Sequence, residues 1–468
     1  MNHWILLYEV LTTSYRSFFY AILTRRERMN EQIQGNQINA SGHLTIGGCD
    51  AVALADEYGT PVLVYDTAKI RHQIRAFQEV FEENEVDYAV CYASKAFANT
   101  AMYQLVNQMN GHVDVVSAGE IQMALHAGFP AKKMTFHGNN KSEEELRLAL
   151  KVGIGLIALD NFHEIALLHR LLEETGGRAN VILRITPGIS AHTHEYIQTG
   201  QVDSKFGFDL ASGQADEALQ RVLQEPRMTM LGIHAHIGSQ IFELAGFEGA
   251  SEKLVDLAAR WARDYGYQTK ILNVGGGFGI RYVSADRPLA PQDFVNLIIQ
   301  TVKQRTRSLN IPTPGIWIEP GRSIVGPAGY SLYTVGARKD VQGIRSYLAV
   351  DGGMGDNIRP ALYDAKYEAV LANNPLAPVM ETVRVAGKYC ESGDVLIQEQ
   401  ALPQTKPGDI LAILNTGAYG YSMASNYNLN VKPAVVFVEN GRSTLVTRRE
   451  RIDDLERLDF NLDGSSRA

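Results

Sequence analysis

The sequence has 468 residues, of which 45% are hydrophobic and 21% charged, a balance typical of a globular protein with a substantial core. Its formal net charge of −8 excludes nucleic acid and anionic membranes as principal partners, because such surfaces need a basic footprint, and it favours small metabolites. The three cysteines (Cys49, Cys91 and Cys390) are few, odd in number and far apart. They exclude a disulfide framework and predict a reducing, cytoplasmic location.

The two ends of the chain differ in composition from its middle. Residues 1–28 are apolar and aromatic and then basic, the reverse of the charge order in a secretory signal. Glu9 and Arg16 interrupt the apolar run that a membrane helix would need. We therefore expect residues 1–35 to be an N-terminal extension, either disordered or the product of a start codon assigned too far upstream. We expect residues 457–468 to be a disordered tail.

Between residues 86 and 327, short apolar runs alternate with amphipathic segments that have acidic starts and helical spacing. The predicted strands are Tyr88–Ala93, Val113–Ser117, Met134–His137, Leu156–Leu159, Val181–Ile185, Gly232–Ile237, Ile271–Val274 and Ile316–Glu319. Eight strand-then-helix units favour a (β/α)8 barrel over a doubly wound sheet, which the pattern alone leaves open. We expect the barrel to span residues 63–327.

After residue 327 the pattern changes to β-rich runs separated by Gly, Pro and Asp, among them SYLAVDGG and DILAILNTG. Little helix is predicted between these runs. They predict a second domain, an antiparallel β-sandwich or β-barrel formed by residues 36–62 and 328–456. The predicted fold class is therefore α/β, a TIM-like barrel followed by a C-terminal β domain.

Nearly every predicted barrel strand ends in polar or glycine-rich residues. The first ends at Lys95, the third in FHGNNK, the sixth in HAHIGSQ, the seventh in NVGGGFG and the eighth in EPGRS. Barrel enzymes build their active sites at these ends, and they commonly bind phosphate after the seventh and eighth strands. Glycines let backbone N–H groups approach a phosphate, although the glycine run alone could be a tight turn.

Lys95 interrupts a run that otherwise has the character of a buried strand, where an unpaired ammonium group is costly. An amine with a lowered pKa could form a Schiff base with pyridoxal phosphate. Glu319 would then face the pyridine nitrogen and keep the ring a strong electron sink. The alternative for Lys95, considered by itself, is a solvated lysine without a function.

His234 and His236 lie two apart on the sixth predicted strand, so their side chains point the same way. They could bind a metal ion, His234 could fill the barrel core, or His236 could stack on a flat ring. A metal site of this kind also needs ligands at other strand ends, including an aspartate after the eighth. The sequence has Lys95 at the first end and Glu319 at the eighth, and we therefore predict no metal.

Eight motifs follow one another across residues 36–456: YASKAFAN, HGNNKSEEEL, HTHEYIQTGQVDSKFGF, HAHIGSQI, NVGGGFGI, EPGRSIVG, DGGMGDNIRPALYDA and CESGDVL. Together they resemble the diaminopimelate decarboxylase family. Its members are pyridoxal phosphate enzymes of the barrel-plus-β class shared with alanine racemase and the ornithine and arginine decarboxylases. The resemblance implies a homodimer that converts meso-2,6-diaminopimelate to L-lysine and CO2, the last step of lysine biosynthesis.

The same resemblance implies a role for each matching residue. Lys95 would form the Schiff base, Glu319 would face the ring nitrogen, and His236 would stack on the ring. The rest of the cofactor would be bound by Ser239, Gly277, Gly321, Arg322 and Tyr419. The distal end of the substrate would be bound by Arg322, Arg359, Tyr363, Glu391 and Tyr419. Cys390 would protonate the Cα carbanion, and in the family Cys390 and Glu391 come from the partner subunit.

The charges of the distal residues separate the substrate from its rivals. A cationic tail such as that of ornithine needs only acids there, whereas diaminopimelate also presents a carboxylate, which arginine grips bidentately. Arg359, Tyr363 and Glu391 together favour the second substrate. Considered singly, Arg359 could form a surface ion pair and Cys390 could be a small buried apolar residue. A racemase would have a tyrosine in place of Cys390, and a non-catalytic pyridoxal-binding regulator would have lost Lys95 or Cys390.

Overall fold

A computed structural model of the chain describes residue 33 and residues 35–189 and 204–465. The predicted N-terminal extension lies almost wholly outside the described residues, as does most of the motif that begins at His192. The α-helices are Ala51–Tyr58, Thr67–Glu83, Thr100–Gln108, Ala118–His126, Glu143–Val152, Phe162–Thr175, Gln214–Leu223, Ala245–Tyr265, Pro291–Ser308, Arg322–Val325, Arg359–Tyr363 and Ile452–Glu456. None of the described helices combines the length and the apolar character needed to cross a bilayer.

Eight parallel strands close into a barrel. They are Tyr88–Ala93, His112–Val115, Met134–Phe136, Leu156–Leu159, Ala179–Thr186, Met228–His234, Ile271–Asn273 and Gly315–Ile318. Each pairs with the next in the chain, and the last closes on the first through Ile316 opposite Tyr88. Every one of these strands overlaps a predicted strand, and the predicted (β/α)8 barrel is confirmed. The sixth strand ends at His234, three residues before its predicted end.

Side-chain caps begin five of the helices that pack around the barrel. The Asp66 carboxylate accepts hydrogen bonds from the backbone N–H groups of Ala68 and Lys69, and Ser142 forms a capping box with Glu145. Side-chain caps also begin three further helices, at Asn99, Ser117 and Asn161. These side chains satisfy N–H groups that have no partner within the helix. Each cap therefore fixes the residue at which the loop after a strand ends and the helix begins.

The inside of the barrel has an apolar core of its own. It consists of Leu156, Ala158 and Ile182, packed with Leu231, Ile271 and Trp317. The intervening residues Ile157 and Leu159 belong instead to the large core between strands and helices, as the alternation of side chains along a strand requires. Apolar contacts thus fill the barrel, and the polar side chains are left to its strand ends.

The second domain is a nine-stranded mixed sheet. Its strands are Val62–Asp66, Gly329–Val341, Arg345–Val350, Ala369–Leu371, Glu381–Ala386, Val395–Leu402, Ile410–Ile413, Ala434–Glu439 and Arg442–Thr447. Most pairs are antiparallel, as predicted, but two are parallel. The parallel pairs are Val62–Asp66 with Ala434–Glu439, and Arg345–Val350 with Glu381–Ala386. A separate three-stranded sheet is formed by Gln37–Ile38, Leu44–Ile46 and Cys49–Asp50.

The strand Val62–Asp66 precedes the barrel in sequence but pairs with Gly329–Val341 in the β-domain sheet. The predicted domain boundary at residue 63 therefore falls inside a strand of the second domain, and the other domain limits stay a prediction. The β domain lies against the open end of the barrel, because the Tyr419 N–H donates to the Ala96 carbonyl at 2.7 Å. This contact joins a β-domain loop to the turn that follows the first barrel strand.

Candidate active site

The strand ends of the barrel and one side of the β domain enclose a cavity of about 720 Å³, within the size range of small-ligand sites. The predicted site residues that line it are Lys95, His236, Ser239, Gly277, Glu319, Gly321, Arg322, Arg359, Tyr363 and Tyr419. Cys390 and Glu391 lie outside its lining and are exposed. The fold thus brings together all of the predicted site residues except these two.

Lys95 lies in a single turn of 3-10 helix that directly follows the first barrel strand. Its neighbours Ser94 and Ala96 are buried, whereas the Lys95 side chain is accessible and lines the cavity. The predicted end of this strand at Ala93 is therefore confirmed. The strand ends before Lys95, and the turn directs the amine into the cavity.

Glu319 follows the eighth barrel strand and is 7% exposed. Its Oε1 accepts a hydrogen bond from Asn273 Nδ2 at 2.7 Å and lies 2.9 Å from His137 Nε2. Its Oε2 lies 3.0 Å from His234 Nε2. Burial alone would raise the pKa of Glu319, but His137 and His234 hold this pKa well below its usual range. The carboxylate is therefore ionised at neutral pH.

The two histidines beside Glu319 differ in protonation. Burial lowers the pKa of His234 to about 4 despite the carboxylate. Burial also acts to lower the pKa of His137, but Glu319 and Asp114 outweigh it and raise that pKa above its usual value. The raised pKa of His137 favours a buried ion pair with Glu319, and the low pKa of His234 makes it a neutral hydrogen-bonding partner. His137 was predicted to stand at a strand end without a role, and Asn273 was not predicted to belong to the site.

His137, His234 and Glu319 are also arranged as a metal ion would require. One ligand atom from each residue lies within 4.8 Å of the other two. His236, which the sequence pairs with His234 as a possible ligand, is not a member of this set. Two histidines and one glutamate are a known ligand set for catalytic zinc, so this cluster is the alternative to a cofactor-binding role for Glu319.

The His236 imidazole lines the cavity just beyond the sixth strand. The Gly276 N–H donates to its Nδ1 at 3.3 Å, which fixes one edge of the ring. Burial, and then the charge of Lys95, lower its pKa well below the usual value. A neutral ring held by its edge is suited to stacking on a flat ligand.

The loops after the sixth, seventh and eighth strands stack backbone against backbone. A Cβ on Gly276 would lie 2.0 Å from the Glu319 carbonyl oxygen, and one on Gly277 would lie 2.2 Å from the Gly238 carbonyl oxygen. Ser323, in the short helix that follows, lines the cavity and is 3% exposed. Its hydroxyl has no hydrogen-bond partner in the part of the chain that the structure describes. This corner therefore fits an anionic group such as the phosphate of pyridoxal phosphate.

Arg322, which follows the eighth barrel strand, and Arg359 of the β domain form a pair of guanidinium groups where the two domains meet at the cavity. Both donate to the hydroxyl oxygen of Tyr282, at 2.6 and 3.1 Å. Arg359 also donates to Tyr367 at 2.6 Å, and Arg322 to Ser239 at 2.9 Å. Burial would raise the pKa of Tyr282, but the two arginines lower it. We call these two residues the arginine pair.

The arginine pair bears on two alternatives that the sequence left open. Arg359 is 7% exposed, so it does not form a surface ion pair. Its partners Tyr282 and Tyr367 were missed by the sequence analysis. Tyr282 stands three residues after the glycine run, which is a weak signal. Tyr367 has no local signal, because only the fold brings it to Arg359.

Cys390 lies in the loop between the strands Glu381–Ala386 and Val395–Leu402. It is exposed, so it is not a small buried apolar residue. Its backbone N–H donates to Asn428 Oδ1 at 3.1 Å. The thiol therefore belongs to an ordered surface loop outside the cavity of its own chain.

A buried charged network supports the opposite side of the cavity. Lys141 Nζ lies 2.5 Å from Glu164 Oε1, and these two side chains are 1% and 2% exposed. Glu164 also accepts from the Asp160 N–H at 2.9 Å, and Arg184 lies 3.8 Å from Asp160. These links tie together the ends of the third, fourth and fifth strands. The sequence analysis did not predict them.

Comparisons with known proteins find relatives along most of the chain. Residues 67–326 match the family described as pyridoxal-dependent decarboxylase, pyridoxal binding domain. The diaminopimelate decarboxylase of Bacillus subtilis (strain 168) is 55% identical over 422 residues, covering 90% of this chain and 96% of that protein. That of Bacillus methanolicus is 54% identical over 416 residues, covering 89% and 96%. The solved structure of diaminopimelate decarboxylase from M. jannaschii in co-complex with L-lysine is 33% identical with a TM-score of 0.86, covering 92% of this chain and 98% of that one.

Proposed function

This chain belongs to the diaminopimelate decarboxylase family of pyridoxal-dependent decarboxylases, and we propose that it converts meso-2,6-diaminopimelate to L-lysine and CO2 with pyridoxal phosphate as cofactor. One observation carries this proposal. A single cavity has Lys95 and the ionised Glu319 in one wall, which we call the barrel wall, and the arginine pair where the barrel meets the β domain, which we call the β-domain wall. The first wall fits the cofactor, and the second fits a substrate with a carboxylate at its far end.

The residues of the barrel wall would hold the cofactor. Lys95 supplies the amine that would bind its aldehyde, His236 supplies a neutral ring for stacking, and Glu319 supplies a negative charge for a protonated ring nitrogen. The phosphate would be held by Ser239, Gly277, Gly321 and Arg322. When bound, pyridoxal phosphate supplies an electron sink for the electron pair that remains on Cα after CO2 leaves.

The residues of the β-domain wall would select the substrate. Arg322 and Arg359 would grip the distal carboxylate, with Tyr363 and Tyr419 beside it. The guanidinium of Arg322 already lies 4.9 Å from the centre of the Tyr419 ring, so this wall is ordered around cations. Ornithine and arginine have no carboxylate to place there. Glu391 would bind the distal ammonium group.

Cys390 would donate the proton that Cα needs after decarboxylation. Because Cys390 and Glu391 are exposed and lie outside the cavity of their own chain, we propose a homodimer in which each chain completes the site of its partner. Exposed apolar side chains near Cys390 support such an interface, because Asn428, which stands between Tyr427 and Leu429 in the chain, accepts the Cys390 N–H. Leu362 is 50%, Tyr427 43% and Leu429 75% exposed.

We place this enzyme in a reducing compartment, the cytoplasm. Its cysteines, Cys49, Cys91 and Cys390, are all unpaired. The proposed acid is one of them, and a thiol can donate a proton only while it stays reduced.

The activity test is the release of CO2 and lysine from pyridoxal-phosphate-loaded protein. Meso-diaminopimelate is expected to give both products, and ornithine, arginine and L-alanine none. Decarboxylation of another amino acid in place of diaminopimelate would leave Lys95 and Glu319 in their roles and refute those of Arg359, Tyr363 and Glu391. Purified protein that carries zinc and no pyridoxal absorbance would favour the metal cluster instead.

The shared site is tested by mixing two inactive variants, Lys95→Ala and Cys390→Ala. A hybrid dimer contains one site with both changes and one with neither. Random exchange of subunits is therefore expected to restore about a quarter of the wild-type activity. No recovery after exchange would refute the partner-supplied acid.

A further inference from the structure

Two loops of the β domain carry the proposed catalytic groups to different places. We call residues 351–358 the arginine loop, because they lead into the helix that begins at Arg359 and lines the cavity of the same chain. We call residues 387–394 the cysteine loop, because they carry Cys390 and Glu391 on the surface. The mechanism proposed above uses both loops but leaves open what holds one relative to the other.

A single carboxylate joins the two loops. Asp394 Oδ1 accepts a hydrogen bond from the Met354 N–H in the arginine loop at 2.7 Å. Asp394 Oδ2 accepts from the Tyr389 N–H in the cysteine loop at 2.8 Å. Asp394 is 3% exposed, so these bonds form away from water, where charge-assisted hydrogen bonds are strong.

The carboxylate of Asp394 fits between the two loops because a glycine of each loop faces it. A Cβ on Gly353 would lie 2.5 Å from Asp394 Oδ1, and one on Gly387 would lie 2.2 Å from Oδ2. Real Cβ atoms do not approach so closely. One glycine in the arginine loop and one in the cysteine loop therefore allow both loops to close on the same side chain.

Further bonds reinforce the junction beside Asp394. The Lys388 N–H donates to the Gly352 carbonyl at 3.0 Å. The Tyr389 hydroxyl lies 3.4 Å from Asp356 Oδ1, and Asp356 is 4% exposed. Hydrogen bonds thus join the two loops at several points, and among the described residues Asp394 is the side chain that bonds directly to the backbone of both.

We propose that Asp394 is a positioning residue that sets Cys390 and Glu391 relative to Arg359. This inference rests on the function proposed above. In the proposed homodimer, Arg359 serves the cavity of its own chain, whereas Cys390 serves the cavity of the partner. Asp394 therefore links the two active sites of the dimer through one side chain.

The first test is the variant Asp394→Asn in the pyridoxal-phosphate-loaded enzyme. Its amide must turn an N–H group toward one of two backbone donors, so one loop loses its bond. We expect kcat to fall by about 10²-fold, the order that misplacement of a reacting group can cost. We also expect KM for meso-diaminopimelate to rise and the absorbance of bound cofactor to stay unchanged. Wild-type kcat and KM would overturn the proposal.

The second test assigns the two effects to the two loops. In a hybrid of Asp394→Asn with Lys95→Ala, the one site that keeps Lys95 receives an intact cysteine loop from its partner but retains the altered arginine loop. We expect kcat for this site to return to the wild-type value and KM to stay raised. If kcat and KM both returned to wild-type values, or if neither did, Asp394 would not act through both loops.

Two further variants distinguish a loss of positioning from a general loss of stability. Asp409→Asn removes a buried acceptor in the same domain, which bonds to the Lys406 N–H at 2.9 Å, and it is expected to keep kcat and KM. Gly387→Ala keeps the carboxylate but displaces it, and it is expected to reproduce both defects of Asp394→Asn. Wild-type kinetics in Gly387→Ala would contradict the proposal even if Asp394→Asn did not fold.

The mixture of Lys95→Ala with Cys390→Ala serves as the reference. Recovery in this mixture, without recovery of kcat in the Asp394→Asn hybrid, would refute the positioning role alone. Absence of recovery in the reference mixture would refute the shared site of the proposed function, and the link between the two sites with it.

Discussion

The two walls of the cavity hold their charges in opposite ways. In the barrel wall, Glu319 is buried and bonded on both oxygens by His137, His234 and Asn273. In the β-domain wall, Arg359 is equally buried, but its bonded partners are the phenol groups of Tyr282 and Tyr367 rather than a carboxylate. No ion pair joins either member of the arginine pair to a carboxylate among the described residues.

The difference shows which wall is complete before a ligand binds. A buried charge is costly without a partner. Glu319 has its counter-charge built in, so the barrel wall is organised in advance. The arginine pair has phenol groups but no carboxylate bonded to it, so the proposed substrate would bring the first carboxylate to this wall. The predictions below test this contrast, from the largest expected effect to the smallest.

Loss of the amine in the barrel wall is expected to have the largest effect. Lys95→Ala should lower kcat by at least about 10⁴-fold, because no other group supplies the covalent attachment, and it should abolish the absorbance of bound cofactor. Steady-state kinetics and the visible spectrum measure these losses. Lys132→Ala, which removes an exposed lysine, is the control and should behave as wild type. A Lys95→Ala protein that kept its cofactor absorbance and its activity would refute the assignment of the barrel wall to the cofactor.

Neutralising the barrel-wall carboxylate should have a smaller effect. Glu319→Gln keeps the shape but removes the negative charge, so we expect kcat to fall by about 10²-fold, the scale of one electrostatic contact to the reacting system. KM should change little, because the substrate end is untouched. Cofactor content is measured alongside. Loss of bound zinc with no change in kcat of the cofactor-loaded protein would instead identify Glu319 as a metal ligand.

The shared phenol of the β-domain wall should affect binding more than turnover. Tyr282→Phe removes the oxygen that accepts from both Arg322 and Arg359. We expect KM for meso-diaminopimelate to rise about tenfold, which corresponds to one hydrogen bond to a charged group, with kcat nearly unchanged. Tyr58→Phe removes a hydroxyl bonded to Ser443 at 2.9 Å and serves as the control. An unchanged KM would show that the arginine pair does not need the Tyr282 hydroxyl to bind the substrate.

The smallest expected effect comes from Glu120, a barrel carboxyl group that has no histidine beside it. Its replacement should change the stability of the protein and not its activity. Burial, and then Asp114, raise the pKa of Glu120 from 4.5 to about 7. Between these values the folded protein binds a proton that the unfolded chain has lost, so stability falls as the pH rises. Glu120→Gln should therefore be more stable than wild type at about pH 8, by of the order of 2 kcal/mol, and similar at about pH 5. Urea unfolding at the two pH values measures this, and an equal difference at both would contradict it.

The sequence predicted the barrel better than it predicted the contacts within the site. The barrel strands and their polar ends follow from periodicity and chain order, which are local properties. Lys95 and Glu319 could be singled out because each stands at a strand end, where the fold class itself implies function. Tyr367 and Asp394 could not, because their roles depend on distances between segments that only the folded chain brings together.

The surroundings of Lys95 illustrate the same limit. The predicted strand Tyr88–Ala93 is the observed one, and the apolar run around Lys95 is real, since Ser94 and Ala96 are buried. The sequence did not show that the residues after Ala93 form a single turn of 3-10 helix, which leaves Lys95 accessible between two buried neighbours.

The strand Val62–Asp66 pairs with Gly329–Val341 on one edge and Ala434–Glu439 on the other. During synthesis it leaves the ribosome before any part of the barrel, whereas both of its neighbours emerge after the barrel is complete. The barrel strands therefore have the chance to close while this segment is still unpaired. Its last hydrogen bonds can form only when the final tenth of the chain has emerged, so the β-domain sheet is completed only near the end of translation.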